Sequence, residues 1–138
     1  MTFDELTALL KKEGFTKAQL FITDATYARP MSEYLLGTFY DFYREWLSEH
    51  KLDVWKDRWD CDNFSSTFYV FAQMCHVKSA RPEEGIAVGE LFYYQLDGGG
   101  HAVNCAVTEK GFILIEPQTG KEFEMVDLEK EKVVMIRF

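Results

Sequence analysis

Residues 101–118, HAVNCAVTEKGFILIEPQ, read as two period-two strands joined by a tight turn at Glu109 and Lys110. A hairpin closed there sets Thr108 opposite Gly111, which places Val103 across from Glu116 and His101 across from Gln118. His101 and Glu116 are then diagonal neighbours on one face, about 7 to 8 Å apart at the backbone and within reach of a long side chain. Either Glu116 or Gln118 could accept a hydrogen bond from the imidazole. A slip of one residue would carry both to the other face, so the register decides whether the histidine has a partner. Pro117 has no N–H to give a ladder, which marks the end of this strand as an edge or rim.

Period two continues outward from this hairpin. IAVGELFYYQL, EFEMV and KVVMIRF read as further strands joined by short turns, so everything from Ile86 onward is sheet. Upstream the spacing is helical. Thr2 and Glu5 form a capping box ahead of Phe3, Leu6, Leu9 and Leu10, and Gly14 supplies a stop. Residues 15–30 read as an ordered loop with a short strand at Leu20 to Ile22. MSEYLLGTFYDFYREWLSEHKL (31–52) is the longest helical signal, with Ser32 as N-cap and Leu35, Phe39, Phe42, Tyr43, Trp46 and Leu47 on one stripe. After the polar connection DVWKDRWD, the stretch CDNFSSTFYVFAQMCHV (61–77) forms a third helix capped by Asp60. Helices first and strands second predict an α+β fold, N-terminal helices packed on a C-terminal antiparallel sheet, as one domain over residues 1–138.

Composition narrows the function classes. The chain has 138 residues, 47% hydrophobic and 16% aromatic, spread along its length, which excludes extensive disorder. A net charge of −8 and a pI near 4.9, with no run of lysine or arginine, argue against nucleic acid as a partner. No apolar run reaches the roughly 20 residues of a membrane span, and MTFDELTALLKKEG is amphipathic rather than signal-like, so the expected location is the cytosol without a membrane partner. Three cysteines with no CxxC pair favour reduced thiols over a disulfide framework or zinc ribbon.

The thiols separate by position. Cys75 lies on the same predicted helix as Cys61, some 21 Å away at about 1.5 Å per residue. Cys105 alternates with Val103 and Val107 as a buried strand residue. Cys61 differs because it opens a helix, where unpaired N–H groups and the macrodipole place roughly half a positive charge beside the sulfur. Asp60 and Asp62 oppose a thiolate there unless they cap the backbone, point away or bind a cation. His101 is the candidate base, because Gly98 to Gly100 leave room at the lip of the sheet for another element to approach. His50 and His76 sit near helix ends, where a carbonyl contact is the ordinary role.

The order of an Asp-Cys-Asp stretch opening a helix, GGGHAVN at a strand start and LIEPQTG at the end of the next strand resembles the papain-like and transglutaminase-like cysteine peptidase superfamily. Within it, the likeness is to bacterial transglutaminase-like cysteine peptidases and the papain-like domain of fungal chimerolectins, over roughly residues 55 to 120. The resemblance implies a papain-like core and a Cys-His-Glu catalytic triad. Cys61 would be nucleophile, His101 general base and Glu116 the orienting acid, acting through a thioester as a thiol protease, hydrolase or amide transferase. The implied partner is a peptide, isopeptide or other amide. Most relatives carry Asp or Asn in the third position. The backbone N–H of Cys61 is the expected oxyanion donor, since Gln19, the only upstream glutamine, cannot be aligned. No cofactor is required. Calcium at Asp60 and Asp62 is conceivable, although helix capping and solvated carboxylates are the simpler roles. The alternative is a binding module that keeps the fold without turnover, using Trp55, Trp59 and Tyr27 around the same cleft.

Overall fold

A computed structural model describes residues 1–78 and 83–138. Helix α1 (Phe3–Lys12) begins on the expected capping box. The Thr2 side chain accepts the Glu5 N–H at 3.2 Å, and Glu5 accepts the Thr2 N–H at 2.8 Å. Strands β1 (Gln19–Phe21) and β2 (Tyr27–Ala28) follow, then α2 (Ser32–Leu36), α3 (Thr38–Glu49) and α4 (Cys61–Val77). The predicted bounds of α4 are met residue for residue.

The long helical signal from residue 31 divides in two at Gly37. Its backbone is not helical (φ −112°, ψ −102°), and a Cβ there would lie 2.8 Å from the Glu33 carbonyl oxygen. Ser32 is also the first helical residue rather than the N-cap. Its N–H and hydroxyl both donate to the Glu109 carboxylate, at 2.6 and 2.8 Å, across 77 residues. The tip of the hairpin thus caps α2 from outside.

These two bonds from Ser32 hold the Glu109 carboxyl below its ordinary range, the backbone N–H being the larger cause. A group whose folded pKa is depressed stabilises the fold above its unfolded pKa and loses that contribution as pH falls through the folded value. Glu109→Gln is therefore expected to be less stable than wild type near pH 6, with the gap closing toward about pH 3. Urea denaturation across that range checks it. A gap independent of pH would contradict the role.

Strands β3 (Gly85–Ile86), β4 (Val88–Tyr94), β5 (Gly100–Thr108), β6 (Gly111–Glu116) and β7 (Lys121–Phe123), the short helix α5 (Asp127–Lys130) and β8 (Val133–Arg137) complete the chain. The main sheet runs β1-β8-β4-β5-β6-β7, and β2 pairs with β3 in a separate small ladder. The fold is α+β, but the sheet is mixed rather than antiparallel. β1 adds to the free edge of β8 in parallel, Leu20 opposite Ile136, and the Phe138 N–H extends the ladder to Phe21 O at 2.9 Å. The hairpin register is the one read from the sequence, Thr108 opposite Gly111 and Asn104 opposite Ile115. Of the two places expected for Pro117, an edge or a rim, it takes the rim: β7 pairs with β6 up to Glu116, and Pro117 opens the turn between them.

The sheet divides the apolar interior. On one face Leu35, Phe39, Tyr43 and Leu47 meet Phe64, Phe68 and Ala72 over Val88, Ala106, Ile113 and Ile115. On the other, Leu6, Leu10 and Phe15 pack over Leu91, Val103, Cys105 and Val107, with Phe138 closing the end. Alternation along β4 and β5 supplies both faces, as period two requires.

Helix α4 is also locked to the sheet by buried polar contacts. Ser65 Oγ donates to Val103 O at 2.9 Å, while Asn104 Nδ2 donates to Ser65 O and Gly89 O, both at 3.0 Å. Beside Asn104 in the sheet, Glu90 is almost fully buried beneath α4. It takes the Arg137 guanidinium at 2.7 Å; burial raises its carboxyl, and the Ser66 hydroxyl and then the guanidinium draw it only partly back. These contacts fix where the N-terminal end of α4 sits over β4 and β5. No helix among the described residues is long and apolar enough to cross a membrane.

Candidate functional site

An open cleft of ≈ 350 Å³ lies where the start of α4 faces the far ends of β4 and β5. It is lined by Asp60, Cys61 and Asp62 of α4 and its cap and by Tyr93, Tyr94 and His101 of the strands, with Phe92, Ala102 and Val134 completing the wall. Other grooves of similar volume lie among the described residues. One, between α3 and α4, is built on Trp46, Val70, Phe71 and Met74; another holds Phe15, Phe123, Glu13 and Glu122. Neither contains a cysteine or histidine. The cleft at α4 is where the chain gathers groups able to exchange protons.

His101 follows the β4–β5 turn. Gly98 has a positive φ of 91°, and Asp97 Oδ1 accepts the Gly99 N–H at 2.9 Å. A Cβ on Gly100 would approach nothing closer than 4.0 Å, so the cleft stays open beside the histidine. His101 Nε2 lies 2.9 Å from Glu116 Oε2, and both side chains are about four-fifths buried, with 20% and 23% exposed. The diagonal contact expected from the register is formed. It leaves Nδ1 as the remaining polar atom of the ring. Tyr93 stands edge-on to the imidazole at 5.7 Å, its phenol raised chiefly by burial.

Gln118, the other possible partner, contributes backbone instead. Its N–H donates to Glu116 Oε1 at 3.2 Å, and its carbonyl accepts from Arg44 at 3.0 Å.

Cys61 is the first residue of α4 and is half-buried, with Asp60 as the N-cap. The Asp60 N–H donates to Asn63 Oδ1 at 3.2 Å, and the Phe64 N–H to Asp60 O at 3.0 Å. The Asp62 carboxyl is raised, first by the hydrogen bond it shares with Asp60, then by burial and by the charge of Asp60. The N–H groups of Asp62 and Asn63 draw it partly back. The two aspartates serve the helix start and each other. One ligand atom each from Asp60, Cys61 and Asp62 lies within 4.8 Å of the others. Calcium takes six to eight oxygens, and this group offers a fragment of such a shell with a soft sulfur inside it, a poor fit.

The remaining expectations resolve simply. Cys105 is fully buried, and burial drives its thiol far above the ordinary range; Cys75 is raised the same way to a lesser degree. His50 Nδ1 meets Trp46 O at 2.7 Å and stacks on the Trp46 ring, and His76 Nε2 meets Glu84 O at 2.8 Å. Both do helix-end work. Gln19 sits in edge strand β1, outside the cleft lining.

The aromatic residues proposed for a binding surface are different ones. Tyr27 is 1% exposed, its hydroxyl accepting the N–H groups of Thr23 and Asp24, and neither Trp55 nor Trp59 lines the cleft. Tyr93 and Tyr94 take their place. The signal for them was in the sequence: FYY ends one strand just before the glycine turn, and pairing across that turn sets Tyr93 opposite His101 and Tyr94 opposite Gly100.

No known protein family matches the sequence, and no curated protein does. Solved structures do. PSL1a in complex with E64 is similar over 100% of this chain, with a TM-score of 0.78 and 17% identity. So is the Polyporus squamosus lectin bound to the human-type influenza-binding epitope Neu5Aca2-6Galb1-4GlcNAc, with the same score and identity. The chain spans about half of each matched chain, 51% and 49%. At this identity the likeness is one of fold.

These matches correct the family expectation. One of the similar structures is named as a lectin, and no family model or curated protein supports the papain-like or transglutaminase-like cysteine peptidase superfamily, a papain-like core, or a thiol protease with a catalytic triad. The expected peptide, isopeptide or other amide partner rested on that family and goes with it; the ligand named for the lectin is a glycan. The physical reason lies in how short the motifs are. An aspartate before a helix caps it, glycines before a strand make its turn, and a glutamate before a proline turn accepts the turn's N–H groups. Each motif has a folding role of its own.

Proposed function

We propose that the chain is a binding module that takes an uncharged carbohydrate in the cleft between the start of α4 and the ends of β4 and β5. The observation carrying this reading is the lining itself, joined to a fold shared over its whole length with a glycan-binding lectin. Tyr94, 55% exposed at the rim, offers an aromatic face for the C–H side of a sugar ring. Asp62, exposed on the wall of the cleft, offers carboxylate oxygens to hydroxyl donors, and His101 adds a ring nitrogen. Two carboxylates in a chain of net charge −8 disfavour an anionic sugar, so the uncharged Galb1-4GlcNAc portion of the lectin's epitope suits this cleft better than its acidic end. Tyr94→Ala is expected to weaken binding of Galb1-4GlcNAc about tenfold in calorimetry with no loss of fold. Unchanged affinity would overturn the assignment.

One observation favours a second reading of the same residues. The His101–Glu116 hydrogen bond, beside a cysteine at a helix start, is an arrangement that activates a thiol. On this reading Cys61 is a nucleophilic thiol, His101 the base that accepts its proton, and Glu116 the carboxylate that orients the ring. Selective alkylation tests it, as set out in the Discussion.

A further inference from the structure

We infer that Arg44 and Tyr40 of α3 are positioning residues for the cleft, setting the His101 ring through the turn at residues 117–120. The inference rests on the reading that the cleft around His101 is the working site. Neither residue lines that cleft, and both act through backbone.

The connection has three links. Arg44 Nη1 donates to the carbonyl of Gln118 at 3.0 Å. The N–H of the same residue donates to Glu116 Oε1 at 3.2 Å. Glu116 Oε2 then meets His101 Nε2 at 2.9 Å. One carboxylate oxygen is thus held by the turn and the other holds the imidazole, so a rotation of the Gln118 peptide units moves the ring. A guanidinium suits the first link because its donors are fixed in a plane and it never loses its charge.

Tyr40 supplies the wall behind the turn. Gly120 lies against its ring with φ +69°, and a Cβ there would fall 2.5–2.7 Å from ring carbons. The Tyr40 hydroxyl reaches Pro117 O at 3.4 Å, a weaker contact than that of Arg44. The Thr119 and Gly120 N–H groups close back on Glu116 O at 3.2 and 2.8 Å. The turn therefore hangs between β6 and α3, with its glutamate at the first position. The alternating period of the hairpin brings Glu116 and His101 to one face. The contacts from α3 select the carboxylate orientation that completes the pair.

The test is solvent exchange of the His101 Nε2 proton by NMR, with amide-spectrum dispersion reporting the fold. In Arg44→Ala exchange is expected about tenfold faster than in wild type, and in Arg44→Lys a few-fold faster. Gln118→Ala, which keeps the backbone, is expected to match wild type. Should Arg44→Ala not fold, Arg44→Lys carries the comparison. Exchange in the Arg44 variants within about twofold of wild type, while Glu116→Gln accelerates it, would overturn the positioning role. No effect from Glu116→Gln would overturn it at its last link. A protein that shows the Arg44 effect and binds no sugar at the cleft would overturn the binding reading alone, leaving the positioning chain in place.

Discussion

Phe68→Ala is expected to lower the stability of the fold by about 3–5 kcal/mol, the largest loss from any single side chain considered in this chain. Phe68 is fully buried in the middle of α4. It meets Phe39 and Tyr43 edge-on, each with ring centroids 5.1 Å apart. Truncation removes the apolar area and leaves a cavity bounded by rings that are themselves held: Tyr43 donates its buried hydroxyl to Phe64 O at 3.0 Å and cannot swing in without breaking that bond. Against the roughly 5–15 kcal/mol of a typical domain this is a large share. The consequence reaches the cleft, because α4 carries Cys61 and Asp62 at its first turn. Phe68→Leu keeps most of the volume and is expected to cost far less, about 1.5 kcal/mol or under. Urea denaturation of the pair measures both. A loss below about 1 kcal/mol for Phe68→Ala would mean that the helices do not pack as described.

Cys61 is expected to be alkylated by iodoacetamide ahead of the other two thiols in the native protein. Cys105 has no exposed surface and a thiol raised far above its usual range by burial, while Cys75 is raised more modestly for the same reason. Cys61 sits in the open cleft with a helix N-terminus beneath it. On the thiol reading its rate falls in His101→Ala by about tenfold or more and is unchanged in His50→Ala, because His50 bonds only to the end of its own helix. Peptide mapping by mass spectrometry separates the three sites. Equal rates for Cys61 in wild type and His101→Ala would remove the thiol reading and leave the binding reading untouched.

The hairpin shows why part of this site was legible in sequence. Thr108 and Gly111 bracket a turn too short to close in more than a few ways, and once it closes, period two dictates that His101 and Glu116 share a face. The start of α4 was equally legible, since an aspartate before an apolar run at helical spacing is a local signal. What remained hidden depends on contacts distant in sequence. Ser32 reads as a cap, whereas it is the first residue of α2 and donates to the Glu109 carboxylate 77 residues away. β1 joins the sheet only because β8, at the other end of the chain, leaves an edge for it. Tyr27 reads as a surface tyrosine in a polar loop, yet it lies under Phe138 at 6.2 Å in the second core.

The family likeness failed for a related reason. Three short motifs in the right order describe a helix start, a turn and a strand end, and many folds need those three things. The tyrosines of the cleft follow from the register across the glycine turn, which is longer than the turn at Glu109 and Lys110 and so closes in more ways; it pairs Tyr93 with His101.

Titration of isotope-labelled protein with Galb1-4GlcNAc, followed by amide shifts, is the most direct measurement of the central claim. Saturable shifts are predicted at Cys61, Asp62, Tyr94, Gly100 and His101, the residues around the cleft. Absence of shifts at millimolar sugar, or shifts confined to the groove of Trp46, Val70, Phe71 and Met74 between α3 and α4, would contradict it.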